Sequence, residues 1–254
     1  MDTHTNEIDF LTLVTHELKS PLNAILCTIE MLKEDIASKK WDREALLSNL
    51  SVAEVAGFDM LELVQNMLTT ARMKAGKETI FPVLMDRSEL IQRARSMERT
   101  FRNEARCKKV NFSVSVGKLP DFVYWDILKI RFFAINNLVS NALKFLGRGG
   151  TVRVLFDSDD DNNVLVSVMD DGPGIPENER AGIFGKFVQA SNNTRSFRGS
   201  GFGLFNAQQT IAMHHGSIEI LDGLNGKGVT FGVKIPAIPF EINEADLRGI
   251  VEAG

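Results

Sequence analysis

Apolar residues near the N-terminus recur in alternating steps of three and four residues. Seven of them lie in the stretch 10–32 and one just after it: Leu11, Val14, Leu18, Leu22, Ile25, Ile29, Leu32 and Ile36. This spacing is the heptad pattern of a coiled coil or a helical bundle, and it predicts one amphipathic helix that runs to about Ser38. Pro21 lies inside the pattern and removes one backbone donor. We therefore predict a bend at Pro21 and treat it as a candidate hinge.

A second helical pattern follows a short break at residues 39–42. Its apolar residues share one face and are Leu46, Leu50, Ala53, Met60, Val64, Met67 and Ala71, which predicts a helix over 43–74. Two antiparallel helices cannot bury both apolar faces between themselves. We therefore predict a homodimer in which two such hairpins, one from each chain, form a four-helix bundle. The alternative is that the hairpin packs on the C-terminal part of its own chain.

From residue 78 onward, short strand patterns alternate with helical ones. A short strand and link are predicted over 78–86. Helices are predicted at 88–107, 125–146 and 203–214, and strands at 110–116, 151–156, 164–169, 217–221 and 229–235, with hairpin loops at 158–163 and 222–228. This order predicts an α/β sandwich, in which helices cover one face of a mixed sheet. The predicted domains are 1–77 and 78–236, followed by a C-terminal extension, 237–254, in which 243–248 favours a short helix.

Composition excludes several classes of protein. The chain has 254 residues, a net charge of −4 and a pI of about 5.7, which argues against a nucleic-acid binder. Cys27 and Cys107 are the two cysteines, far apart and without metal-ligand spacing, and they favour a reducing compartment. No apolar run approaches the roughly 18 residues of a membrane span. We expect no membrane segment in this chain and a cytoplasmic location, with any membrane association through a segment upstream of it.

His16 is the candidate nucleophile of the first helix. One interpretation is a solvent-facing histidine without a chemical role. The other is a nucleophile or acid–base group, because a neutral imidazole is reactive near neutral pH. Glu17 is adjacent and could orient the ring or take its proton, and Ser20 lies four residues on, on the same helical face.

Three polar residues share one face of the helix predicted at 125–146. They are Asn137, Asn141 and Lys144, spaced by four and three residues. The side-chain oxygen of Asn141 suits a divalent metal, and the Lys144 ammonium suits a phosphate. Taken alone, this pattern favours a capping asparagine or one whose hydrogen bonds are satisfied in the core.

Two glycine-rich stretches follow strands or precede a helix. In residues 170–175, DDGPGI, Asp170 ends a strand and could accept a hydrogen bond from an exocyclic amine, with Gly172 and Gly174 beside it; the simpler interpretation is a turn. Residues 199–204, GSGFGL, open the helix predicted at 203–214. Amide groups at a helix N-terminus favour bound phosphate, although one glycine string of this kind is weak by itself.

The motifs together resemble those of a known family. Residues 16–23, HELKSPLN, resemble the H box of sensor histidine kinases. Five further stretches resemble, in order, the motifs of the Bergerat-type ATPase fold. They are 137–145 for the N motif, 170–175 for the first glycine motif, Phe184 with Phe187 for the F motif, 199–204 for the second glycine motif and 226–231 (GKGVTF) for the third. The chain over about residues 8–236 therefore resembles a HisKA-type sensor histidine kinase core.

The resemblance implies a role for each matching residue. It implies ATP and Mg²⁺ as cofactors, with Asn141 as the metal ligand. The residues implied to contact the nucleotide are Asn137, Asn141, Lys144, Asp170, Gly172, Gly174, Gly199, Gly201, Phe202, Gly203, Leu204 and Thr230. Residues 185–200 would form a mobile lid, in which Arg195 and Arg198 are either phosphate ligands or solvated charges. The chain departs from the family pattern at Phe202, at Phe205 and Asn206, and at Leu146 and Gly147, which puts nucleotide affinity and lid motion in question.

The implied activity is two-component signal transduction. His16 would attack the γ-phosphate of ATP with Glu17 as base, and the phosphoryl group would pass to an aspartate of a response regulator receiver domain. Ser20 occupies the position that, in the family, orients water for dephosphorylation of the regulator. The alternatives are a phosphatase-dominant or catalytically weak dimeric scaffold of the same family, and a Ser/Thr kinase or ATPase on the same nucleotide fold.

Overall fold

The structure, a computed structural model, describes residues 2–38, 42–74, 79–146, 148–185, 188 and 202–238. The chain divides into two compact units, Met1–Gly76 and Lys77–Gly254. No helix in these described stretches combines the length and the apolar character that a membrane crossing requires.

The first unit is a pair of packed helices, α1 (Asp2–Ser38) and α2 (Arg43–Lys74). Asp42 caps α2, because its Oδ2 accepts a hydrogen bond from the Ala45 N–H at 3.3 Å. Helix α1 continues without a break through Pro21. The two helices agree with the heptad patterns of the sequence, and the bend at Pro21 stays a prediction.

This hairpin leaves much apolar surface uncovered within one chain. Three side chains are buried among those that the structure describes in α1 and α2: Thr28, Ala56 and Leu63. Exposed apolar residues instead follow two stripes with seven-residue or fourteen-residue spacing: Leu22, Ile29 and Ile36 on α1, and Leu47, Leu61 and Leu68 on α2. Heptad spacing places each set on one side of its helix.

The second unit contains a five-stranded sheet and a separate pair of strands. The strands are β1 (Val83–Asp86), β2 (Asn111–Val116), β3 (Phe122–Trp125), β4 (Thr151–Ser158), β5 (Asn163–Asp170), β6 (Ser217–Asp222) and β7 (Val229–Pro236). The large sheet has the order β2-β4-β5-β7-β6, with β2 and β4 parallel and the other pairs antiparallel. Strands β1 and β3 pair antiparallel.

Four helices and a π-helical segment of this unit contribute to the core of the large sheet. They are α3 (Arg87–Cys107), α4 (Ile127–Lys129), the π-helical segment (Ile130–Ile135), α5 (Asn136–Leu146) and, later in the chain, α7 (Gly203–Met213). The short helix α6 (Glu177–Arg180) has no buried residue. In α3 the buried residues are Leu90, Ala94, Met97, Phe101 and Ala105, which is the spacing of one helical face. The prediction of a helical hairpin followed by an α/β sandwich is confirmed.

Three details of the prediction were wrong. Trp125 belongs to β3 and not to the following helix, because β3 pairs with β1 and buries that indole. The helix predicted over 125–146 contains a π-helical segment in its middle. The packed domain also continues past residue 236: Ala237 is buried, its N–H donates to the Asn162 carbonyl and its carbonyl accepts from the Tyr124 N–H. The helix predicted at 243–248 lies outside the described residues.

Strand β5 carries one polar residue on its buried face. Val164, Val166 and Val168 alternate along this face and are almost completely buried. Because side chains of a strand alternate in direction, the next residue on the same face is Asp170, the last residue of β5. The strand therefore places a carboxylate at the end of an apolar stripe.

Candidate functional site

The Asp170 carboxylate is held in place by two backbone amides. It is only 5% exposed, and its Oδ1 accepts hydrogen bonds from the Gly172 N–H at 2.9 Å and from the Val229 N–H at 3.2 Å. Both recorded bonds use the same oxygen. Within the described parts of the chain, the second oxygen, Oδ2, accepts no hydrogen bond and is available as an acceptor.

Burial changes the acidity of this carboxylate. Desolvation raises the pKa of Asp170 to about 6, while the two amide hydrogen bonds act in the opposite direction and the nearby Asp171 adds a smaller increase. An acidic group perturbed mainly by desolvation is a common property of functional sites. The pattern agrees with a carboxylate that is positioned for a ligand and not for the stability of the fold.

Glycines allow the loops on both sides of Asp170 to approach it closely. Gly228 has a φ of +76°, and a Cβ there would lie 2.2 Å from the Asp170 carbonyl oxygen. Gly174 has a φ of +71°, and its Cβ would lie 2.9 Å from the Gly228 oxygen. Any larger residue at Gly228 would collide with backbone. The two glycine-rich loops therefore pack against each other beside the carboxylate.

Thr230 lies on β7 directly across from β5. It pairs with Met169, the residue before Asp170, and its hydroxyl donates to the Asp222 carbonyl at 2.9 Å. The side chain is buried. Thr230 therefore lies beside the end of β5, on the sheet face of Met169 and not on that of Asp170, and its contact with a nucleotide stays a prediction.

Helices α5 and α7 bring the other predicted residues together. The Asn137 amide donates to the Phe133 carbonyl at 2.9 Å and to the Gly203 carbonyl at 3.4 Å, which ties α5 to the first residue of α7. A Cβ at Gly203 would lie 3.7 Å from Asn137 and 3.8 Å from Asn141. The N-terminal end of α7 therefore lies beside both asparagines.

Asn141 and Lys144 are available to a ligand. Both are half-buried, and neither side chain makes a hydrogen bond or an ion pair to another residue within the described parts of the chain. Among these parts there is also no cluster of three or more histidine, cysteine or acidic residues that could hold a metal alone. A cation at this site would therefore take one amide oxygen from Asn141 and its other ligands from phosphate and water, as Mg²⁺ commonly does.

The last residue of α5, Leu146, connects the Asp170 loop to the part of the site formed by α5 and α7. Leu146 lies against Gly172: a Cβ at Gly172 would be 3.4 Å from Leu146 Cδ1 and 2.9 Å from Asp170 Oδ1. Helix α5 thus contacts the start of α7 with its middle and the Asp170 loop with its C-terminal end. Leu146, noted in the sequence only as a departure, is one wall of the site.

Two apolar residues among the predicted ligands pack their side chains into the protein. Phe202, which precedes α7, is completely buried, and Leu204 packs partly buried against the core. Phe202 can therefore offer only its backbone to a ligand. The Phe202 side chain, a departure from the family pattern, fills the core and does not project into the site. Its bulk therefore does not obstruct a nucleotide.

Several predicted residues lie outside what the structure describes. Gly199, Gly201, Phe187, Arg195 and Arg198 fall in undescribed stretches, as does most of the predicted lid at 185–200. His16, Glu17 and Ser20 lie in α1, but their side chains are not among those described. The motif partner Phe184 is described and contacts Phe231 edge to face, with ring centroids 6.4 Å apart.

Two family models match this chain. Residues 7–76 match the His Kinase A (phospho-acceptor) domain. Residues 131–239 match the histidine kinase-, DNA gyrase B- and HSP90-like ATPase family. The chain is a sensor histidine kinase core. The second unit of this core is accordingly an ATP-binding domain, and the site around Asp170 and Asn141 lies in it.

Curated relatives of the kinase core are longer proteins. The chain is 30% identical over 233 residues to the sensor histidine kinase TmoS of Ectopseudomonas mendocina, covering 90% of this chain and 23% of TmoS. It is 31% identical over 229 residues to the adaptive-response sensory kinase SasA of Thermosynechococcus vestitus, covering 89% of this chain and 59% of SasA. The chain thus spans less than two thirds of each of these relatives.

Solved structures share the architecture of the kinase core. Full-length ShkA in complex with AMPPNP matches with a TM-score of 0.58 at 25% identity, over 90% of this chain and 45% of that chain. Histidine kinase ThkA in complex with the response regulator protein TrrA matches with a TM-score of 0.61 at 22% identity, over 90% and 61%. The ThkA likeness shows the fold alone.

Sequence reasoning missed the backbone amide that helps to hold the Asp170 carboxylate. The Val229 N–H, which holds the Asp170 carboxylate, is reached through the pairing of β5 with β7. Asp171 lies beside Asp170 but points elsewhere, since its Oδ1 accepts from the Thr151 N–H at 2.7 Å. Gly226 and Gly228, just before Val229, indicate that another part of the backbone lies close to this segment. The sequence did not show that this part is Asp170.

Proposed function

We propose that this core binds Mg²⁺ and ATP between α5, α7 and the end of β5 and transfers the γ-phosphoryl group to His16. A response regulator aspartate would then receive it. The proposal is supported by a fixed, buried Asp170 carboxylate and by Asn141, beside the start of α7, and Lys144 on the same helix, whose side chains make no hydrogen bond or ion pair within the described parts of the chain. This arrangement offers one acceptor for a base and separate donors for phosphates.

The Asp170 end suits adenine. Its Oδ2 can accept a hydrogen bond from the exocyclic amine of the base, while Gly172 and Gly174 leave room for a flat ring. Guanine carries a carbonyl at that position, so a carboxylate acceptor would face another acceptor. A site built to pair with one polar group discriminates strongly against a ligand that lacks it.

The Asn141 end suits the phosphates. Lys144 can approach them as a point charge, and Gly203, together with Gly199 and Gly201 in the motif, would supply backbone amides at the N-terminus of α7. Asn141 would hold Mg²⁺ through its side-chain oxygen, with Asn137 keeping α7 in position. The bound Mg²⁺ supplies charge neutralisation to the triphosphate.

The group transfer itself involves His16 and Glu17. A ring nitrogen of His16 forms a bond to the γ-phosphorus, the bond to the bridging oxygen breaks, and ADP leaves with that electron pair. Glu17 takes the proton from the imidazole or orients the ring. The resulting phosphoimidazole can donate its phosphoryl group to a carboxylate. A dephosphorylation role for Ser20 and a cytoplasmic location stay predictions.

We expect His16→Gln to eliminate phosphorylation because it removes the nucleophile and leaves the ATP site intact. Incubation with γ-labelled ATP should give acid-labile, base-stable label on the unchanged chain and none on His16→Gln. The matched control is His4→Gln, which removes another histidine of α1 and should retain the label. Label that survives His16→Gln, or label that is stable in acid, would contradict the proposal and favour a Ser/Thr kinase.

We also propose that the core is a homodimer through α1 and α2. The exposed stripes Leu22, Ile29 and Ile36, and Leu47, Leu61 and Leu68, are apolar faces that a second hairpin would cover in a four-helix bundle. Each side chain of this size gains about 1.5–3 kcal/mol when it is fully buried. The two stripes together therefore provide a large driving force for association.

The dimer can be tested by placing a charge in one stripe. Leu61→Glu should shift the chain from dimer to monomer in sedimentation velocity at micromolar concentration, because a buried unpaired carboxylate is costly. Ser48→Glu, at an exposed polar position of the same helix, should leave the dimer unchanged. A monomeric unchanged chain, or a Leu61→Glu chain that remains dimeric, would be evidence against this bundle.

A further inference from the structure

A small apolar cavity lies inside the ATP-binding domain. It has a volume of about 30 Å³ and lies where α3, the π-helical segment and the helix-covered face of the large sheet meet. Ala94 and Met97 of α3, Trp125 of β3 and Val166 of β5 are among the buried apolar residues that line it. The described residues that we assign to ATP are not part of this lining. The cavity is therefore a feature separate from the candidate nucleotide site.

The size and the lining of the cavity limit what it can hold. A volume of about 30 Å³ equals the share of one molecule in liquid water, so it suffices for a small group such as a methyl or methylene group. A buried water needs about two to four polar partners. Within the described lining, only Arg93 and Arg131 are not apolar. A small apolar group therefore suits this cavity better than a water molecule.

The two arginines of the lining come from different elements. Arg93 is on α3 and Arg131 is in the π-helical segment, and both are partly buried. Neither forms an ion pair with a carboxylate in the described parts of the chain. Arginine commonly packs its stem on apolar surface and keeps its guanidinium group at the edge of that surface. The cavity therefore has an apolar interior with two uncompensated positive charges beside it.

Arg131 has a hydrogen-bond donor that is not used. Its Nη2 donates to the Thr100 hydroxyl at 3.3 Å, and its guanidinium carbon lies 5.5 Å from the centre of the Phe132 ring. Its Nε is buried and makes no hydrogen bond within the described part of the domain. A buried donor without an acceptor is costly, and a carboxylate satisfies a guanidinium group best because it accepts two parallel bonds. Arg131 therefore lacks an anionic acceptor.

The segment that carries Arg131 has a rare conformation. π-Helical turns are uncommon in proteins and occur frequently at functional sites. Besides Arg131, Ile130 and Ile135 of this segment line the cavity. The irregular helix, the buried donor and the cavity are three separate observations, and they coincide at one place in the domain.

We propose that this cavity and its two arginines form a binding site for a short-chain carboxylate of about two to four carbon atoms. The carboxylate group would lie between the guanidinium groups of Arg93 and Arg131, and the adjoining carbon atoms would enter the apolar cavity. Sulfate and phosphate have the charge but no apolar end, and a neutral molecule of the same shape lacks the charge. This site does not depend on the proposed function.

Titration of the full chain with propionate tests the proposal. Because Trp125 lines the cavity, its fluorescence in a Trp41→Phe background should change on binding, and isothermal titration measures the affinity independently of the indole. We expect a Kd of about 1 mM, which a ligand with so few atoms allows. Propionamide, the neutral analogue, and sulfate should each bind at least about tenfold more weakly at constant ionic strength.

Arginine variants test the contact with the carboxylate group. Arg131→Gln and Arg93→Gln should each weaken propionate binding about tenfold, because each removes a charged donor. Arg95→Gln is the matched control, since Arg95 is an exposed arginine of α3 that does not line the cavity. It should retain the affinity within about twofold.

A cavity variant tests the contact with the carbon atoms and leaves both arginines in place. Val166→Ile adds one carbon atom to the lining and should weaken propionate binding at least about fivefold, because the space is then filled. Val164→Ile is the matched control: Val164 is a buried valine on the same face of β5 that does not line the cavity. It should retain propionate binding in samples that near-ultraviolet circular dichroism shows to be folded.

Three results would overturn the inference. Sulfate that binds as tightly as propionate would show a site for any anion, without a role for the cavity. Propionamide that binds as tightly would show that the arginines do not recognise the charge. Propionate that does not bind at about ten times the expected Kd, or that binds equally well to Val166→Ile, would show that the cavity is only an imperfection of packing.

Discussion

Replacing Asp170 with asparagine is expected to weaken ATP binding about 100-fold and at the same time to stabilise the empty ATP-binding domain. In the variant the amide oxygen would remain with the Gly172 and Val229 N–H groups, and the NH₂ group would replace Oδ2. A donor would then face the amine of adenine. Loss of a hydrogen bond to a charged acceptor, with a donor left unpaired, is expected to weaken binding about 100-fold.

The stabilisation follows from the pKa of Asp170. Its ordinary value of 3.8 is raised to about 6, a difference that corresponds to about 3 kcal/mol. The folded domain therefore binds a proton between pH 4 and pH 6 that the unfolded chain does not bind. This contribution to stability is complete below pH 3.8 and is lost as the pH rises through about 6. At pH 7.5 the empty domain carries the full cost of the buried charge.

Asparagine is neutral at every pH, so the variant avoids this cost. We expect the free energy of unfolding of Asp170→Asn to exceed that of the unchanged chain by about 1–3 kcal/mol at pH 7.5 and by little at pH 4. The fluorescence of Trp125, buried in this domain, measures its unfolding in a Trp41→Phe background. Isothermal titration with ATP and Mg²⁺ measures binding.

Asp171→Asn is the matched control for this prediction. Its carboxylate accepts from the Thr151 N–H and does not face the Gly172 and Val229 amides. It should retain nucleotide affinity and should not reproduce the pH-dependent gain in stability. An Asp170→Asn variant that binds ATP normally would show that this carboxylate does not contact the base.

The helices of this protein were predictable because their signals are local. Heptad spacing identified α1 and α2, and the buried face of α3 follows the same rule of three and four residues. Strand β3 gave no such signal. Its four residues, 122–125, become a strand only by pairing with β1. Strand β1 ends 36 residues before β3 begins, so a local sequence pattern cannot predict that pairing.

The sequence could propose residues for the candidate site, but it could not give their contacts. Alternation of Val164, Val166 and Val168 already places Asp170 on the buried face of β5. The amide of Val229 reaches that carboxylate only through the register of β5 with β7. The role of Leu146 depends in the same way on a loop 26 residues later, at Gly172. Sequence patterns identified the chemical groups, and the tertiary structure determined which of them meet.

Among the glycines of the last hairpin, Gly228 is expected to tolerate substitution far less than Gly226. Both have positive φ angles, +76° and +74°. A Cβ at Gly226 would meet no atom within 4 Å, whereas one at Gly228 would lie 2.2 Å from the Asp170 carbonyl oxygen and 2.5 Å from its Oδ1. The first change costs only backbone strain. The second adds a collision with the backbone and with the carboxylate of Asp170.

Gly226→Ala should therefore lower the free energy of unfolding by about 1–2 kcal/mol, the cost of a left-handed conformation for alanine. Gly228→Ala should lower it by about 3 kcal/mol or more, because β7 must also move away from β5. That movement takes the Val229 N–H away from Asp170. We expect ATP binding to fall below detection in Gly228→Ala and to remain within about threefold in Gly226→Ala, since only the first displaces a group of the site.

Trp125 fluorescence and ATP titration, both performed in the Trp41→Phe background, measure the two effects in the same samples. Because Gly228→Ala could lose binding simply by unfolding, titrations belong at low temperature, where near-ultraviolet circular dichroism shows that the domain is folded. A folded Gly228→Ala chain that binds ATP normally would contradict the assignment of this glycine to the site. Equal losses of stability in the two variants would show that backbone strain, and not the approach to Asp170, decides which glycine is required.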